Sequence, residues 1–259
     1  VDSARSAQGN GRGVPHLSVD GAALRHFHIC AFFNSREEEA QVLGPFYREA
    51  FRRGERNLHL MAPGALAAHR AALAATGMDV AACEACGQLA LATWPVEDGR
   101  PRFDAEAWLE VLARAADHPT PRERPPIDDA HERHALAGAG QRLVARMDAA
   151  LDAGADPIDL LIYEARLNGL VDGRQLPTIC VYDLARLDGA TMMDLLRTHP
   201  LTLIGGVLRE NPFFTPPAEM LRELSARRVS GRRRGLPAPG AVPAQSSNLP
   251  NRVSARPAR

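Results

Sequence analysis

The strongest constraint on the fold of this chain is a repeated exchange between two hydrophobic patterns: short apolar runs of strand length, each followed by a capped segment of helical period. Residues 26–33 (HFHICAFF) form the first run and predict a buried strand. A helix is expected over 35–53. Ser35 and Glu38 make a capping box there, Glu37 and Glu39 suit the positive end of the helix dipole, and Gly54 fits the position just past its end. The pattern then predicts a strand at 56–62, an Ala-rich helix at 63–76 ending at Gly77, a strand at 88–93 and a helix at 104–117 capped by Asp104. Residues 118–140, rich in Pro, Asp, Arg and Gly, read as a mobile loop with room for one helical turn. Residues 142–151 fit strand and helix equally. Further on, a helix is expected at 156–170, with Asp156 as cap and Pro157 at its first position. A strand at 178–184, a helix at 188–198, a strand at 201–207 and a last helix at 217–228 complete the series.

Such alternation predicts an α/β fold: a mainly parallel sheet flanked by helices on both faces. One domain of about 200 residues fits it best, at 21–228. Residues 1–20 and the tail 229–259, with Arg232, Arg233 and Arg234 followed by Pro, Ser, Asn and Gly, are expected to be disordered. A chain of 259 residues buries its core without staples, so its four cysteines do not read as a disulfide framework. Neither an apolar secretory segment nor a run of about 18 apolar residues is visible, and the expected location is the cytoplasm, away from any membrane. Basic and acidic residues number 31 each, which argues against a broadly basic nucleic-acid binder. Every basic residue other than histidine is arginine; there is no lysine. This excludes a P-loop lysine, a lysine Schiff base and a lysine general base, because arginine keeps its proton.

In a doubly wound sheet, ligands lie at the carboxyl ends of the strands. The first strand leads into Asn34-Ser35-Arg36-Glu37-Glu38-Glu39, which has no glycine to admit a phosphate and three glutamates to repel one. GxxxxGK[ST], GxSxG and HExxH are all missing. Three groupings stand out. His28 and Cys30 share one strand face with Phe32; Cys180 and Tyr182 do the same on a later strand; His199 precedes Pro200 at the start of the next strand. A zinc or other soft-metal site from His28, Cys30, Cys180 and His199 is chemically reasonable, yet the spacing does not force them together, and buried cysteines serve equally as small core hydrophobes. Cys83 and Cys86 form a lone CxxC, compatible with redox chemistry, half a zinc site or incidental cysteines. Asp128, Asp129, His131, Glu132 and His134 resemble a metal-binding tract but read more simply as solvated charge. His199 and Asn211 either hold their turns or contact a ligand.

The strings HFHICAFFNSREEEAQVLGPFYREAFRRGER, LLIYEARLNGL and LPTICVYDLARLDGATMMDLLRTHPLTLIGGVLRENPFFTPP resemble the MEDS domain, the sensory domain of DcmR-type regulators, over residues 25–221. This resemblance implies a RecA/KaiC-like fold without Walker motifs, a role in sensing small organic molecules upstream of transcription or signalling, and ligand-binding positions at His28, Cys30, Cys180, Tyr182, Asp183, His199 and Asn211. The sequence departs from the family where a Gly-Glu-Met-acidic-Trp run is usual. Ala145-Arg146-Met147-Asp148-Ala149 stands there, so arginine replaces glutamate and alanine replaces tryptophan. The resulting expectation is a non-enzymatic sensory domain with no catalytic residue, metal or cofactor assigned. It would bind a small organic ligand at the carboxyl edge of the sheet and signal through a regulatory protein partner, without direct nucleic-acid binding. The alternative is a metal-dependent or nucleotide-using enzyme on the same fold.

Overall fold

A computed structural model describes residues 18–19, 22–23, 26–97, 100–117 and 140–234. A small hairpin of β1 (Ser18–Val19) and β2 (Ala22–Ala23) precedes the main body. The first half of that body runs β3 (His28–Phe33), α1 (Arg36–Arg52), β4 (Arg56–Met61), α2 (Leu66–Ala75), α3 (Val80–Ala85) and β5 (Leu89–Thr93). A second small hairpin, β6 (Val96–Glu97) with β7 (Arg100–Pro101), leads to α4 (Ala105–Asp117). The remainder is β8 (Gln141–Arg146), α5 (Asp148–Asp152), α6 (Pro157–Arg174), β9 (Thr178–Asp183), α7 (Gly189–Thr198), β10 (Leu201–Ile204), β11 (Val207–Glu210) and α8 (Pro217–Arg234).

Seven strands form one sheet in the order β11-β10-β3-β9-β8-β4-β5, parallel throughout except for the edge pair β10–β11. The α/β class with helices on both faces is therefore the observed one. Strand alternation divides the interior in two. Cys30, Leu58, Leu60, Leu143, Ala145, Cys180 and Tyr182 point to a core shared with α4, α5, α6, α7 and α8. Ile29, Ala31, Phe33, Val144, Ile179 and Val181 point the other way, against α1, α2 and α3. Helix α6 anchors the first core. Asp156 accepts the Ile158 N–H as its cap, and Leu160, Leu161, Leu167 and Val171 are buried, each contributing about 1.5–3 kcal/mol. It stops where Gln175 turns left-handed at φ 51°, two residues before Pro177.

Several boundaries differ from the sequence reading. The ambiguous stretch 142–151 is both things in turn, β8 and then α5. The single strand expected at 201–207 is a hairpin, turning at Gly205 and Gly206, whose φ values of 56° and 80° suit the tight turn of a two-residue loop. Asp79 caps an unexpected helix, α3, by accepting the Ala82 N–H, so Cys83 lies on a helix and Cys86 at its end. The last helix continues to Arg234, six residues into the segment expected to be disordered. The expected loop at 118–139, with Asp128, Asp129, His131, Glu132 and His134, lies outside the described residues, as do 1–17 and 235–259. No helix among the described residues is long and apolar enough to cross a membrane.

Candidate functional site

One face of α6 carries Glu164, Asn168 and Asp172 at helical spacing, and each reaches a different part of the sheet. Asp172 accepts the Phe27 N–H at 2.9 Å and sits 3.1 Å from His26 Nδ1, which docks the start of β3. Asn168 donates to the Thr198 carbonyl at 2.9 Å and so fixes the end of α7. One turn before Asn168, Glu164 Oε2 lies 3.2 Å from His28 Nε2, 3.5 Å from His199 Nε2 and 3.6 Å from Cys180 Sγ. The Tyr182 hydroxyl donates to the other oxygen, Oε1. His28 Nε2 and Cys180 Sγ are 3.3 Å apart, and the His28 and His199 rings lie 4.0 Å centroid to centroid. Cys30 faces the same interior, paired in register with Cys180 across the parallel strands.

The side chains of His28, Cys30, Glu164, Cys180, Tyr182 and His199 are fully buried. Burial lowers the pKa of His28 to about 3, against the raising effect of Asn168 and Asp172. It lowers His199 to about 3 as well, helped by His28 and opposed by Glu164 and the Leu195 carbonyl. Burial, followed by the Glu164 charge, pushes the Cys30, Cys180 and Tyr182 protons well above their usual ranges. Glu164 is itself raised by burial, with His199, Tyr182 and Cys180 pulling back. Both histidines are thus neutral near pH 7, and two nitrogens, a sulfur and a carboxylate oxygen converge within 4.8 Å of one another.

Five of the seven expected positions thus meet in one place: His28, Cys30, Cys180, Tyr182 and His199. That place is not the carboxyl edge of the sheet. His28 is the first residue of β3 and His199 lies two residues before β10, so both stand at the amino ends of parallel strands, beneath α6. The other two positions play different parts. Asp183 caps a single 3₁₀ turn by accepting the Ala185 N–H at 2.9 Å. Asn211 donates to the carbonyls of Leu196 at 2.6 Å and His199 at 2.7 Å, and accepts the Phe213 N–H at 3.1 Å. Cys83 and Cys86 are half-buried in and beside α3, away from this cluster. The sequence reading missed Glu164, the hub of the cluster. Its signal was the polar series Glu164, Asn168 and Asp172 at four-residue spacing on a helix whose other buried positions are mostly apolar.

The carboxyl edge holds a second polar system, on the opposite side of the sheet. Arg146, at the end of β8, donates to Glu39 on α1 and, at 2.7 Å, to Asp148 Oδ2. Arg36 approaches the same two carboxylates at 3.6 and 3.7 Å. The arginine that departs from the family pattern is therefore held between two acids, and Ala149 beside it is fully buried. A small crevice runs from here past Phe33, Ser35, Tyr182 and Asp183. Next to it, between α1 and α2, opens a cavity of about 280 Å³ lined chiefly by Ala40, Ala65, Ala68, Ala72 and Leu73, with Tyr47, His69 and Thr76 as polar members and Arg36 and Glu39 at one end. His69 Nε2 lies 2.7 Å from His59 Nδ1. Burial lowers the pKa of both, to about 4 for His69, so they are neutral and share a single proton between the facing nitrogens. The buried Tyr47 hydroxyl has no hydrogen-bond partner among the described residues.

The first βα turn leaves no room for phosphate. Glu38 accepts hydrogen bonds from the Asn34 backbone N–H at 2.7 Å and its side-chain amide at 3.0 Å, and Ser35 accepts the Glu38 N–H at 3.1 Å. Side chains of the chain itself occupy the amides that a phosphate-binding turn offers to its ligand.

Fold and sites together define a parallel α/β domain whose first turn is closed to phosphate and whose polar residues are gathered inside. The sequence matches the family model of MEDS, the methanogen/methylotroph DcmR sensory domain, over residues 27–200. The chain belongs to this family of sensory domains. No curated protein matches it significantly. Asn211 and the β11 strand lie beyond the matched span.

Proposed function

We propose that this domain is a non-enzymatic sensor that takes up a small, mostly apolar organic molecule between α1 and α2 and passes the signal to a regulatory protein partner. The family supports the sensory role. The observation that carries the ligand is the cavity of about 280 Å³, its alanine-rich lining and the unpartnered Tyr47 hydroxyl at its wall. Drug-sized ligands fill about 300–1,000 Å³, so the guest is smaller than these. It has an apolar body and one group able to hydrogen-bond with Tyr47. Arg36 and Glu39 belong both to the cavity and to the Arg146 network, so occupancy bears directly on the pairs that join α1 to β8 and α5. Tyr182 and Asp183, two of the expected ligand positions, border the adjoining crevice.

The test is calorimetry and thermal unfolding of the full chain against a panel of small organic and halogenated compounds. At least one compound is expected to stabilise the wild type. Ala72→Trp, which fills the cavity, should abolish the effect, and Tyr47→Phe should weaken it. A compound that stabilises wild type and Ala72→Trp equally would remove the ligand from this cavity.

A further inference from the structure

We propose that His28, Glu164, Cys180 and His199 form a binding site for one divalent transition-metal ion, zinc being the ion best suited to the donor set. The site is on the other face of the sheet from the α1–α2 cavity, so this inference does not rest on the small-molecule reading.

Donor chemistry supports it first. Two imidazole nitrogens, a thiolate and a carboxylate are the ligand types of tetrahedral zinc. With metal–nitrogen and metal–oxygen bonds of about 2.0 Å and a metal–sulfur bond of about 2.3 Å, ligand atoms at the corners of a tetrahedron stand roughly 3.3–3.5 Å apart. Four of the six separations here are 3.2, 3.3, 3.5 and 3.6 Å, and the remaining two are no longer than 4.8 Å.

The direction of the lone pairs is the second argument. His199 Nδ1 lies 2.8 Å from the Leu195 carbonyl, which only accepts, and 2.9 Å from the Thr198 hydroxyl, which spends its own proton on that carbonyl; Nδ1 therefore carries the ring proton and Nε2 presents a lone pair. That lone pair faces Glu164 Oε2, another acceptor, at 3.5 Å. A proton on the carboxyl or a metal ion placed between them would satisfy both acceptors. The carbonyl contact is also the outer-shell hydrogen bond that orients metal-bound histidines. Tyr182 performs the same service for Glu164 by engaging Oε1, which leaves Oε2 as the oxygen closest to His28, Cys180 and His199.

Charge balance is the third. A divalent ion would displace the thiol proton of Cys180, and the Glu164 proton where the carboxyl holds one, to solvent, with no change of oxidation state. Thiolate and carboxylate then cancel the two positive charges, as an interior this dry demands. Four protein ligands and no exposed member make a closed site of the structural type. The ion would tie together β3, β9, α6 and the residues leading into β10.

The experiment is to unfold the full chain, refold it with cobalt(II) and read the near-ultraviolet thiolate-to-cobalt band and the visible bands of tetrahedral cobalt. The expected result is one equivalent per chain, displaced by zinc. The signal should be kept in the Cys83→Ser/Cys86→Ser double variant and in Ala72→Trp, and the thiolate band lost in Cys180→Ala; Cys180→Ser serves if the alanine variant fails to refold. Refolded wild type with no thiolate band, or a band that survives loss of the Cys180 thiol, would overturn the proposal.

Discussion

The two faces of the sheet bury polar side chains in opposite ways. Under α6, the groups at His28, Cys30, Cys180, Tyr182 and His199 are kept neutral by burial and gathered around a single carboxyl group. Under α1, beside the neutral pair His59 and His69, buried arginines meet carboxylates: Arg146 with Glu39 and Asp148, and Arg142 with Glu55, the latter guanidinium also lying 4.4 Å from the Phe46 ring centroid. The difference shows what each face tolerates. A cluster of neutral donors and acceptors loses part of a network when one member changes. A charge-paired cluster left with an unmatched ion loses far more.

The largest expected effect is therefore on the α1 face. Arg146→Ala should lower stability by about 3–5 kcal/mol, read from denaturant unfolding, because two buried carboxylates lose the closer and more buried of their two cations, leaving only the half-exposed Arg36. A loss below about 1 kcal/mol would break the contrast between the faces. The next effect is acid sensitivity of the α6 face. His28 and His199 have folded pKa values of about 3, against about 6.5 when unfolded. Their contribution is complete above about pH 6.5 and is lost as pH falls towards the folded values, at about 1.4 kcal/mol per pH unit for each histidine. Glu164, raised by burial, acts with the opposite sign: its contribution is present below the ordinary carboxyl range and lost as pH rises through its folded pKa. Four buried histidines, His28 and His199 here and His59 and His69 under α1, oppose this one carboxyl, so stability of the metal-free chain should fall between pH 7 and 5.5, and His199→Gln should remove its own share of that fall. Unfolding midpoints across this range would decide it.

Smaller still, Glu164→Gln should cost about 1–2 kcal/mol, since the amide oxygen can still accept from Tyr182. A cost equal to that of Arg146→Ala would show that Glu164 is a matched ion after all. The smallest perturbation is chemical. In the native state an alkylating reagent should reach only the half-buried Cys83 and Cys86, and Cys30 and Cys180 only after unfolding, as mass spectrometry of labelled peptides would show. Rapid native labelling of Cys180 would contradict the dry interior.

Much of the fold was legible because local pattern and tertiary role agree. The run HFHICAFF reads as a strand, and Ser35 with Glu38 opens the next helix as expected. The reading stalled where a partner lies far along the chain. Arg142 and Arg146, four apart, look like one face of a surface helix. They sit on one strand face, buried, because Glu55 and Glu39 meet them from 87 and 107 residues away. For the same reason the direction in which His28 and His199 face was readable only in part. Strand alternation put His28 with Cys30, but no local rule says that the ligand-rich end is the amino end, or that Glu164 covers it. The hairpin at Gly205-Gly206 and the cap at Asp79 have local signals, a diglycine and an Asp before a short apolar run; the first falls inside the single strand expected at 201–207, and the second in a stretch for which no element is expected.

Asn211 gives the edge of the sheet a mechanical meaning. Its amide grips the carbonyls of Leu196 and His199 at once, just where β11 turns towards α8. Arg197, on the same stretch of α7, bridges to Glu223 of α8 at 2.5 Å. Helix α8 and the His199 backbone are thus tied to the same end of α7. Any displacement of α8 would therefore bear first on the short stretch of backbone from which the buried imidazole hangs.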